Sequence, residues 1–261
     1  MADSPALDVL LPLSRAGARI EPSADEAELL ALFDDTPPRH VRANMVATLD
    51  GGGTGPDDVT GSINGAADFR VFQALRTLAD VVLIGAGTAR QERYRALSVP
   101  DDLVAARAAR GRPPRIELAV VSRSGALPDD LLDAEHPPYV LTTPDCPRLD
   151  GLRARVGADH VVTTGDPGGI DLRAALDALA DRGLGRVLTE GGPTLLGQLL
   201  AARLVDELCL TWSPVIVGGP APRIVDTAEW FAPPRHAEAT HLLHAQGVLL
   251  GRWRTSAPAS D

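Results

Sequence analysis

Short apolar runs that end in glycine recur along this chain and limit its fold more than any other feature. Other apolar runs of strand length alternate with helical patterns. This rhythm predicts β-α-β units, and therefore an α/β fold with a largely parallel sheet and right-handed crossovers. The glycine-bearing runs are residues 81–84 before Gly85 and Gly87, residues 187–188 before Gly191 and Gly192, and residues 215–217 before Gly218 and Gly219. The other strand candidates are residues 41–48, 116–121, 139–142, 160–163 and 207–212; the helix candidates include residues 66–78, 148–156 and 171–182.

The two ends of the chain have patterns of their own. Near the C-terminus, residues 241–244 and 248–254 predict an antiparallel hairpin that closes the sheet. The first 38 residues predict a lead-in with a short helix, which begins at a capping box (Ser23 to Glu26) and packs on the outside of the domain. We therefore expect a lead-in over residues 1–38, a domain over residues 39–255, and a disordered tail over residues 256–261.

Composition excludes several classes of function. The chain has 261 residues and a formal net charge of −10, which argues against nucleic acid or an anionic membrane as the main partner. The lysine and arginine count is 25, and every one of these residues is arginine. The lack of lysine excludes a Walker P-loop, a pyridoxal enzyme with its Schiff-base lysine, and a reductase of the Tyr-x-x-x-Lys type.

Cysteine and hydropathy patterns bear on metal sites and on location. Cys146 and Cys209 lie far apart and form no C-x-x-C, and the six histidines show no metal-ligand spacing, so we predict no metal site. Two cysteines do not make a disulfide framework, and no signal peptide or apolar run of about 18 residues is visible. We therefore expect a cytoplasmic protein without a membrane span.

The stretch from Thr189 to Leu196 carries the strongest site signal. Gly191 and Gly192 allow backbone N–H groups to approach a ligand closely, and Pro193 suits the first turn of a helix. A strand, two glycines and a helix N-terminus together favour an anion site. Glu190 would repel a phosphate there, so we expect it to face a substrate with N–H or O–H donors. An ordinary strand-to-helix turn with a solvated glutamate fits the same spacing.

Other strand exits add candidate residues. Gly85-Ala86-Gly87-Thr88 is a weak glycine motif, while Ser122 and Arg123 suit the 2′-phosphate of NADP, although a surface turn explains them too. Asp50 follows a strand and is either a ligand group or a turn-former. Asp68 lies in the first turn of a helix, where it complements the helix dipole or faces the ligand cleft; Arg70 and Arg76, on that helix, could hold a substrate phosphate.

Four segments together resemble a known family, the reductase domain of riboflavin biosynthesis. That domain is the C-terminal half of bacterial bifunctional deaminase-reductases and has a dihydrofolate reductase-like fold, here expected as three α/β/α layers over residues 40–255. The segments are Arg42 to Gly51, Gly85 to Thr88, Val121 to Gly125, and Thr189 to Leu196.

The resemblance implies an NADPH-dependent reductase of 5-amino-6-(5-phosphoribosylamino)uracil that opens the ribosyl group and reduces it to ribityl. It implies a homodimer as well, because relatives pair through sheet edges and the C-terminal hairpin. A carboxyl group, Asp68 or Glu190, would be the catalytic proton source. Asp50, Ser62 and Arg76 would line the substrate side. The expected cofactor-binding residues are Val46, Ala47, Gly85, Gly87, Thr88, Ser122, Arg123, Gly191, Gly192, Pro193, Thr194, Leu195 and Leu196.

The chain departs from the bifunctional relatives in two ways. The deaminase half is not present in this sequence, so we expect a separate deaminase. Residues 91–97 read Gln-Glu-Arg-Tyr-Arg-Ala-Leu where those relatives carry an Asp-Pro-x-Leu-Thr-x-Arg-like substrate motif. Two alternatives therefore remain at this point, a pterin reductase of the dihydrofolate reductase type and an NADP-binding protein without turnover.

Overall fold

A computed structural model of the chain describes residues 4–92, 94, 97 and 99–255. One mixed sheet runs through it, in the strand order β2-β1-β10-β11-β9-β3-β8-β4-β5-β6-β7. The strands are β1 (Leu7–Leu11), β2 (Arg19–Ile20), β3 (His40–Thr48), β4 (Val81–Gly85), β5 (Glu117–Val121), β6 (Tyr139–Thr142), β7 (Val161–Thr163), β8 (Arg186–Gly191), β9 (Glu207–Ser213), β10 (Ala237–Ala245) and β11 (Val248–Thr255).

Helices cover both faces of the parallel part of the sheet. On β4, Val82 and Ile84 pack against α1, α2 and α4, while Val81 and Leu83 pack against α7 and α8. Because successive side chains of a strand point to opposite faces, β4 is covered by helices on both sides, and the domain has three layers: helices, sheet and helices. The helices are α1 (Ala27–Ala31), α2 (Ala66–Leu78), α3 (Ala86–Gln91), α4 (Asp101–Ala108), α5 (Asp129–Leu132), α6 (Leu149–Val156), α7 (Leu172–Ala180) and α8 (Pro193–Ala201).

The predicted α/β class and its mostly parallel sheet are confirmed. Strands β9, β3, β8, β4, β5, β6 and β7 pair in parallel, and β9 pairs with β11 in antiparallel fashion. The predicted C-terminal hairpin is also confirmed, with Gln246 and Gly247 at its turn. The carboxyl ends of β3, β4, β5 and β8 therefore meet along one edge, which is where open α/β sheets bind ligands.

The prediction that the first 38 residues only pack on the outside is wrong. Strand β1 pairs with β10, so the C-terminal hairpin lies inside the sheet instead of closing it. Leu7, Val9 and Ile20 have no exposed surface and belong to the main core. Alternating patterns this short resemble loop sequence, and their partner strand lies more than 200 residues away, so local sequence could not reveal the pairing.

The capping box is another prediction that the structure corrects. Helix α1 begins after Glu26, whose side chain makes no cap hydrogen bond. The Glu26 carboxylate instead pairs with Arg70 of α2, at 2.7 Å and 2.9 Å, with both side chains buried. Arg70 also donates to the carbonyls of Pro5, Ile20 and Glu21, so it ties the N-terminal segment to the domain.

Residues 215–217 do not form a strand, although their apolar run suggested one. Val215 and Ile216 are exposed, and the run follows Pro214 into a loop. Gly218 and Gly219 have positive φ angles of 60° and 66°, which fit a tight turn. The loop is fixed to the end of β3 because Leu49 N donates to Val215 O.

Candidate active site

A cavity of about 270 Å³ opens at the carboxyl ends of β3 and β8, on the α2 face of the sheet. Helices α2 and α3 contribute Asp68, Phe72 and Thr88, and the sheet contributes Asn44 and Glu190. The remaining lining residues are Met45, Val46, Gly53, Thr54, Thr60, Asn64, Gln91, Glu92, Tyr94, Gly192, Pro193, Pro222 and Ile224. The cavity therefore joins the glycine-bearing exit of β8 to the acidic residues of α2 and β8.

A bidentate ion pair forms one wall of this cavity. Arg76 Nε and Nη2 donate to the two carboxylate oxygens of Glu190, both at 2.7 Å. The Glu190 side chain is only 4% exposed, so its charge needs this partner. The Arg76 guanidinium lies 4.1 Å from the ring centroid of Phe72. Burial opposes the charged form of Arg76, but the bonds to Glu190 outweigh it and raise the arginine pKa.

Tyr94 completes the cluster around Glu190. Its hydroxyl donates to Glu190 Oε2, and its ring lies 6.0 Å from the Arg76 guanidinium. Burial, followed by the nearby charge of Glu190, raises the pKa of Tyr94 well above its usual value. Glu190 therefore receives three hydrogen bonds from two side chains and stands as a fixed acceptor.

Asp68 is the second carboxyl group of the cavity, and its environment differs. It is buried in the first turn of α2, and Thr211 Oγ1 donates to its Oδ1 at 2.5 Å. No cationic side chain among the described residues forms an ion pair with it. Burial raises the pKa of Asp68 to about 6, and the Thr211 hydrogen bond offsets only part of that shift. Asp68 can therefore hold a proton near neutral pH, as a catalytic acid must.

The glycine-bearing strand exits meet beside the cavity. A Cβ atom at Gly192 would lie 2.8 Å from Thr88 Oγ1, so the end of β8 and helix α3, which follows β4, are in close contact there. Gly192 is the N-cap of α8 and makes no side-chain cap bond, and Pro193 follows in the first turn. The Gly191–Gly192 peptide is cis. The first N–H groups of α8 thus border the same opening as Gly192 and Pro193.

Ser122 and Arg123 lie further along this edge, after β5. The Ser122 hydroxyl is buried and has no hydrogen-bond partner among the described residues. Arg123 is exposed and reaches Gly168 O with a long contact of 3.4 Å. An unpaired buried hydroxyl beside an uncommitted guanidinium fits a polar ligand that supplies the missing partners.

Comparison with known proteins decides the family. Residues 39–250 match the family described as the RibD C-terminal domain. The chain belongs to this family. It is 27% identical over 182 residues to the 2,5-diamino-6-ribosylamino-4(3H)-pyrimidinone 5′-phosphate reductase of Archaeoglobus fulgidus, covering 69% of this chain and 82% of that one. The enzyme of the same name from Methanothermobacter thermautotrophicus is 30% identical over 192 residues, covering 69% and 80%.

A solved structure shows the same fold. The pyrimidine reductase-like protein of Corynebacterium diphtheriae superimposes with a TM-score of 0.76 at 23% identity, covering 88% of this chain and 98% of that one. Membership of the RibD C-terminal domain family makes the chain an oxidoreductase of the riboflavin-biosynthesis type, which uses a nicotinamide cofactor.

The residues predicted from sequence for this RibD-type site fall into four groups. Asp68, Glu190, Val46, Thr88, Gly192 and Pro193 line the cavity, and Arg76 contacts it through Glu190. Gly85, Gly87, Ser122, Arg123, Gly191 and Thr194 lie along the adjoining strand exits, whereas Ala47, Leu195 and Leu196 are buried in the protein interior. Asp50 and Ser62 are outside the lining of the cavity.

Asp50 and Ser62 have structural partners where they stand. Asp50 accepts hydrogen bonds from Thr48 Oγ1 at 2.5 Å and from Gly218 N at 2.7 Å. The Thr48 bond, followed by the Gly218 N–H, lowers the pKa of Asp50. Ser62 donates to Asp57 at 2.7 Å. Asp50 thus holds the loop after β9 against β3.

Several lining residues were missed by sequence reasoning. Asn44 is half-buried within β3, where the apolar strand pattern did not mark it as a site residue, and Thr54, Thr60 and Asn64 belong to a polar loop that gave no positional signal. Pro222 and Ile224 come from the loop after β9, and Gly53 N donates to Pro222 O to hold that loop across the cavity. Only the three-dimensional pairing of these loops could identify them.

Two further properties concern the described part of the chain alone. None of its helices has both the length and the apolar character needed to cross a membrane. Within the same residues, no group of three or more His, Cys, Asp or Glu side chains is placed to hold a metal ion. Arg93, Arg95 and Ala96, which belong to the divergent segment at 91–97, lie outside the described residues.

Proposed function

We propose that this protein is an NADPH-dependent reductase that converts the ribosylamino side chain of a phosphorylated aminopyrimidine to a ribitylamino chain. The observation that carries the proposal is the placement of Asp68 and Glu190 in one cavity that is also lined by Gly192 and Pro193, at the glycine-bearing exit of β8. A fixed anionic acceptor, a protonatable carboxyl group and a close backbone approach for a cofactor are what this reaction needs.

The pyrimidine chemistry fits the polarity of the cavity. Its described charged side chains are the carboxylates Asp68, Glu92 and Glu190, which suit the amino and N–H groups of an aminopyrimidine. The sequence points to 5-amino-6-(5-phosphoribosylamino)uracil, and the relatives are named for the 2-amino analogue. Arg70 and Arg76 are both committed to carboxylates, so neither is free to hold the substrate phosphate.

The strand exits would hold the cofactor. Gly85, Gly87, Thr88 and the start of α8 would accept its nicotinamide and pyrophosphate portions, since no side chain there would block a close approach. Ser122 and Arg123 would bind the 2′-phosphate of NADPH, which satisfies the buried Ser122 hydroxyl. Bound NADPH supplies the hydride that adds to C1′ of the ribosyl group.

Asp68 is the proton source in this proposal. As C1′ is reduced, its bond to the ring oxygen O4′ breaks, and O4′ must take a proton to become a hydroxyl group. Asp68 has a pKa of about 6 and can donate that proton. Glu190 is held by Arg76 and Tyr94 and acts as an acceptor for substrate N–H or O–H groups.

We also propose a cytoplasmic homodimer, in which the N-terminal strands β1 and β2 belong to the same domain as residues 39–255. The support for a dimer is one face of the sheet on which Leu210, Trp212, Leu249 and Trp253 are partly exposed together. The rings of Trp212 and Trp253 meet edge to face at 5.0 Å. Such an apolar face suits burial against a second copy. Light scattering that finds a monomer at micromolar concentration would remove the dimer.

Turnover with defined substrates tests the function. NADPH oxidation would be followed with 5-amino-6-(5-phosphoribosylamino)uracil, its 2-amino analogue and dihydrofolate in parallel. Reduction of either pyrimidine supports the proposal. Reduction of dihydrofolate alone would reassign the site to pterins, and saturable NADPH binding without any oxidation would indicate a binding protein.

A further inference from the structure

Tyr94 occupies an unusual position in the cavity wall. It comes from the divergent segment at 91–97, yet its hydroxyl donates to Glu190 Oε2 of strand β8, 96 residues away. Its backbone N donates to Ala89 O at 3.1 Å, which fixes it directly after α3. A side chain in this segment therefore contacts Glu190, the carboxylate of the cavity that is paired with Arg76.

The two carboxylate oxygens of Glu190 accept different numbers of hydrogen bonds. Among the described residues, Oε2 accepts from both Arg76 Nη2 and Tyr94, whereas Oε1 accepts from Arg76 Nε alone. A carboxylate oxygen has two lone-pair sites, so Oε2 is filled and Oε1 has one site left. Since Glu190 lines the cavity, a bound ligand can reach that remaining site.

We propose that Tyr94 is a positioning residue for pyrimidine binding: it occupies Oε2 of Glu190, so that Oε1 is presented to an N–H group of the substrate. The proposal rests on the function proposed above and names the group that fixes the acceptor. Without the tyrosine hydroxyl, Arg76 alone would hold Glu190, and ligand binding would have to fix the carboxylate that Tyr94 otherwise fixes in advance. Tyr94 thus increases affinity by pre-organising the acceptor.

Tyr94 serves as a hydrogen-bond donor here and not as an acid. The charged groups that act on it are Glu190, Arg76 and Glu92, and the net effect of burial and these charges is a raised pKa. A phenol in that state keeps its proton throughout the neutral range. The effect of Tyr94 should therefore be on substrate affinity and not on the proton-transfer step.

The contact itself can be measured without any substrate. The chain has two tyrosines, so in a Tyr139→Phe variant the phenolate absorbance reports Tyr94 alone. Adding Glu190→Gln should lower the pKa of Tyr94, because the nearby negative charge is removed. An unchanged titration would show that the two groups do not interact and would overturn the proposal, whatever the enzyme reduces.

The consequence for binding is tested with Tyr94→Phe, and Tyr139→Phe is the matched control. Calorimetry with the ribitylamino pyrimidine product should show about tenfold weaker binding for Tyr94→Phe, since binding must then order the Glu190 carboxylate. Cofactor affinity and kcat should stay close to wild type. Unchanged product affinity, or equal losses of product and cofactor affinity, would contradict a positioning role.

Discussion

Arg76 and Glu190 form a two-bond ion pair across 114 residues of sequence, with both N···O distances at 2.7 Å. Arg76 lies near the C-terminus of α2 and Glu190 near the end of β8. The C-terminus of α2 is fixed further by Arg107, which is fully buried and donates to the carbonyls of Arg76, Thr77 and Ala79. The catalytic wall is therefore built on a helix that is anchored at its end.

Removing the cation of this pair should destabilise the fold. Arg76→Gln leaves Glu190 buried without its counter-charge, and we expect the free energy of unfolding to fall by about 3 kcal/mol. Arg115→Gln is the control, because Arg115 is 43% exposed and its pair with Glu117 should contribute less than about 1 kcal/mol. Urea unfolding compares the two variants. If Arg76→Gln and Arg115→Gln lower the free energy of unfolding by the same small amount, other groups must compensate the charge of Glu190.

Asp68 should reduce the stability of the fold at neutral pH. Its pKa is raised from 3.8 to about 6, so the stability that its proton provides is complete below pH 3.8 and is lost as the pH rises through 6. Asp68→Asn should therefore raise the free energy of unfolding at pH 7.5 by up to about 3 kcal/mol, and by much less at low pH.

The same substitution should abolish turnover, because an amide cannot donate the proton to O4′. Unfolding and turnover are measured on one preparation across the pH range. Wild-type activity should decline as the pH rises above about 6, where Asp68 loses its proton. A destabilised Asp68→Asn variant, or one with wild-type turnover, would contradict the role given to Asp68.

Gly87→Ala distinguishes a direct contact with the cofactor from an effect on the protein fold. A Cβ atom at Gly87 would meet no protein atom within 4 Å, and alanine in α3 should raise helix stability by up to about 1 kcal/mol. Reduced NADPH affinity in this variant would therefore report contact with the cofactor itself. Gly151→Ala in α6, which has equal space, serves as the control. If Gly87→Ala binds NADPH with wild-type affinity, the cofactor does not bind at this strand exit.

Arg123→Ala tests the choice of cofactor. If Arg123 binds the 2′-phosphate, its removal should weaken NADPH binding about 10- to 100-fold and leave NADH nearly unchanged. Arg153→Ala, another exposed arginine, should alter neither. Fluorescence titration with both cofactors gives the comparison, and equal losses for NADPH and NADH would refute the assignment.

The parallel half of the fold could be predicted because each of its strands and helices is marked by the pattern of apolar residues within its own segment. Buried runs such as residues 81–84 and the helix at residues 66–78 carry their own periodicity, and the helix has the predicted bounds. The N-terminal strands could not be predicted, because β1 is stable only through β10 at the other end of the chain. The apolar run at residues 215–217 suggested a buried strand, but the side chains of Val215 and Ile216 are exposed to solvent.

For the candidate site, sequence identified residue types but not their partners. Asp68 and Glu190 are both candidate acids by sequence, yet only the structure shows that Arg76 and Tyr94 hold Glu190, while Asp68 is buried without a cationic partner among the described residues. Arg70 was a candidate phosphate ligand, but it binds Glu26. These distinctions depend on long-range contacts that no local spacing encodes.

The decisive measurement follows the hydride from NADPH to the pyrimidine. The protein would be incubated with NADPH deuterated at the transferable position and with each phosphoribosylamino pyrimidine, and the product analysed by mass spectrometry. We expect one deuterium at C1′ of a ribityl chain, formed by wild type and not by Asp68→Asn. Oxidation of NADPH with no deuterium in the pyrimidine, or deuterium found only in reduced dihydrofolate, would contradict it.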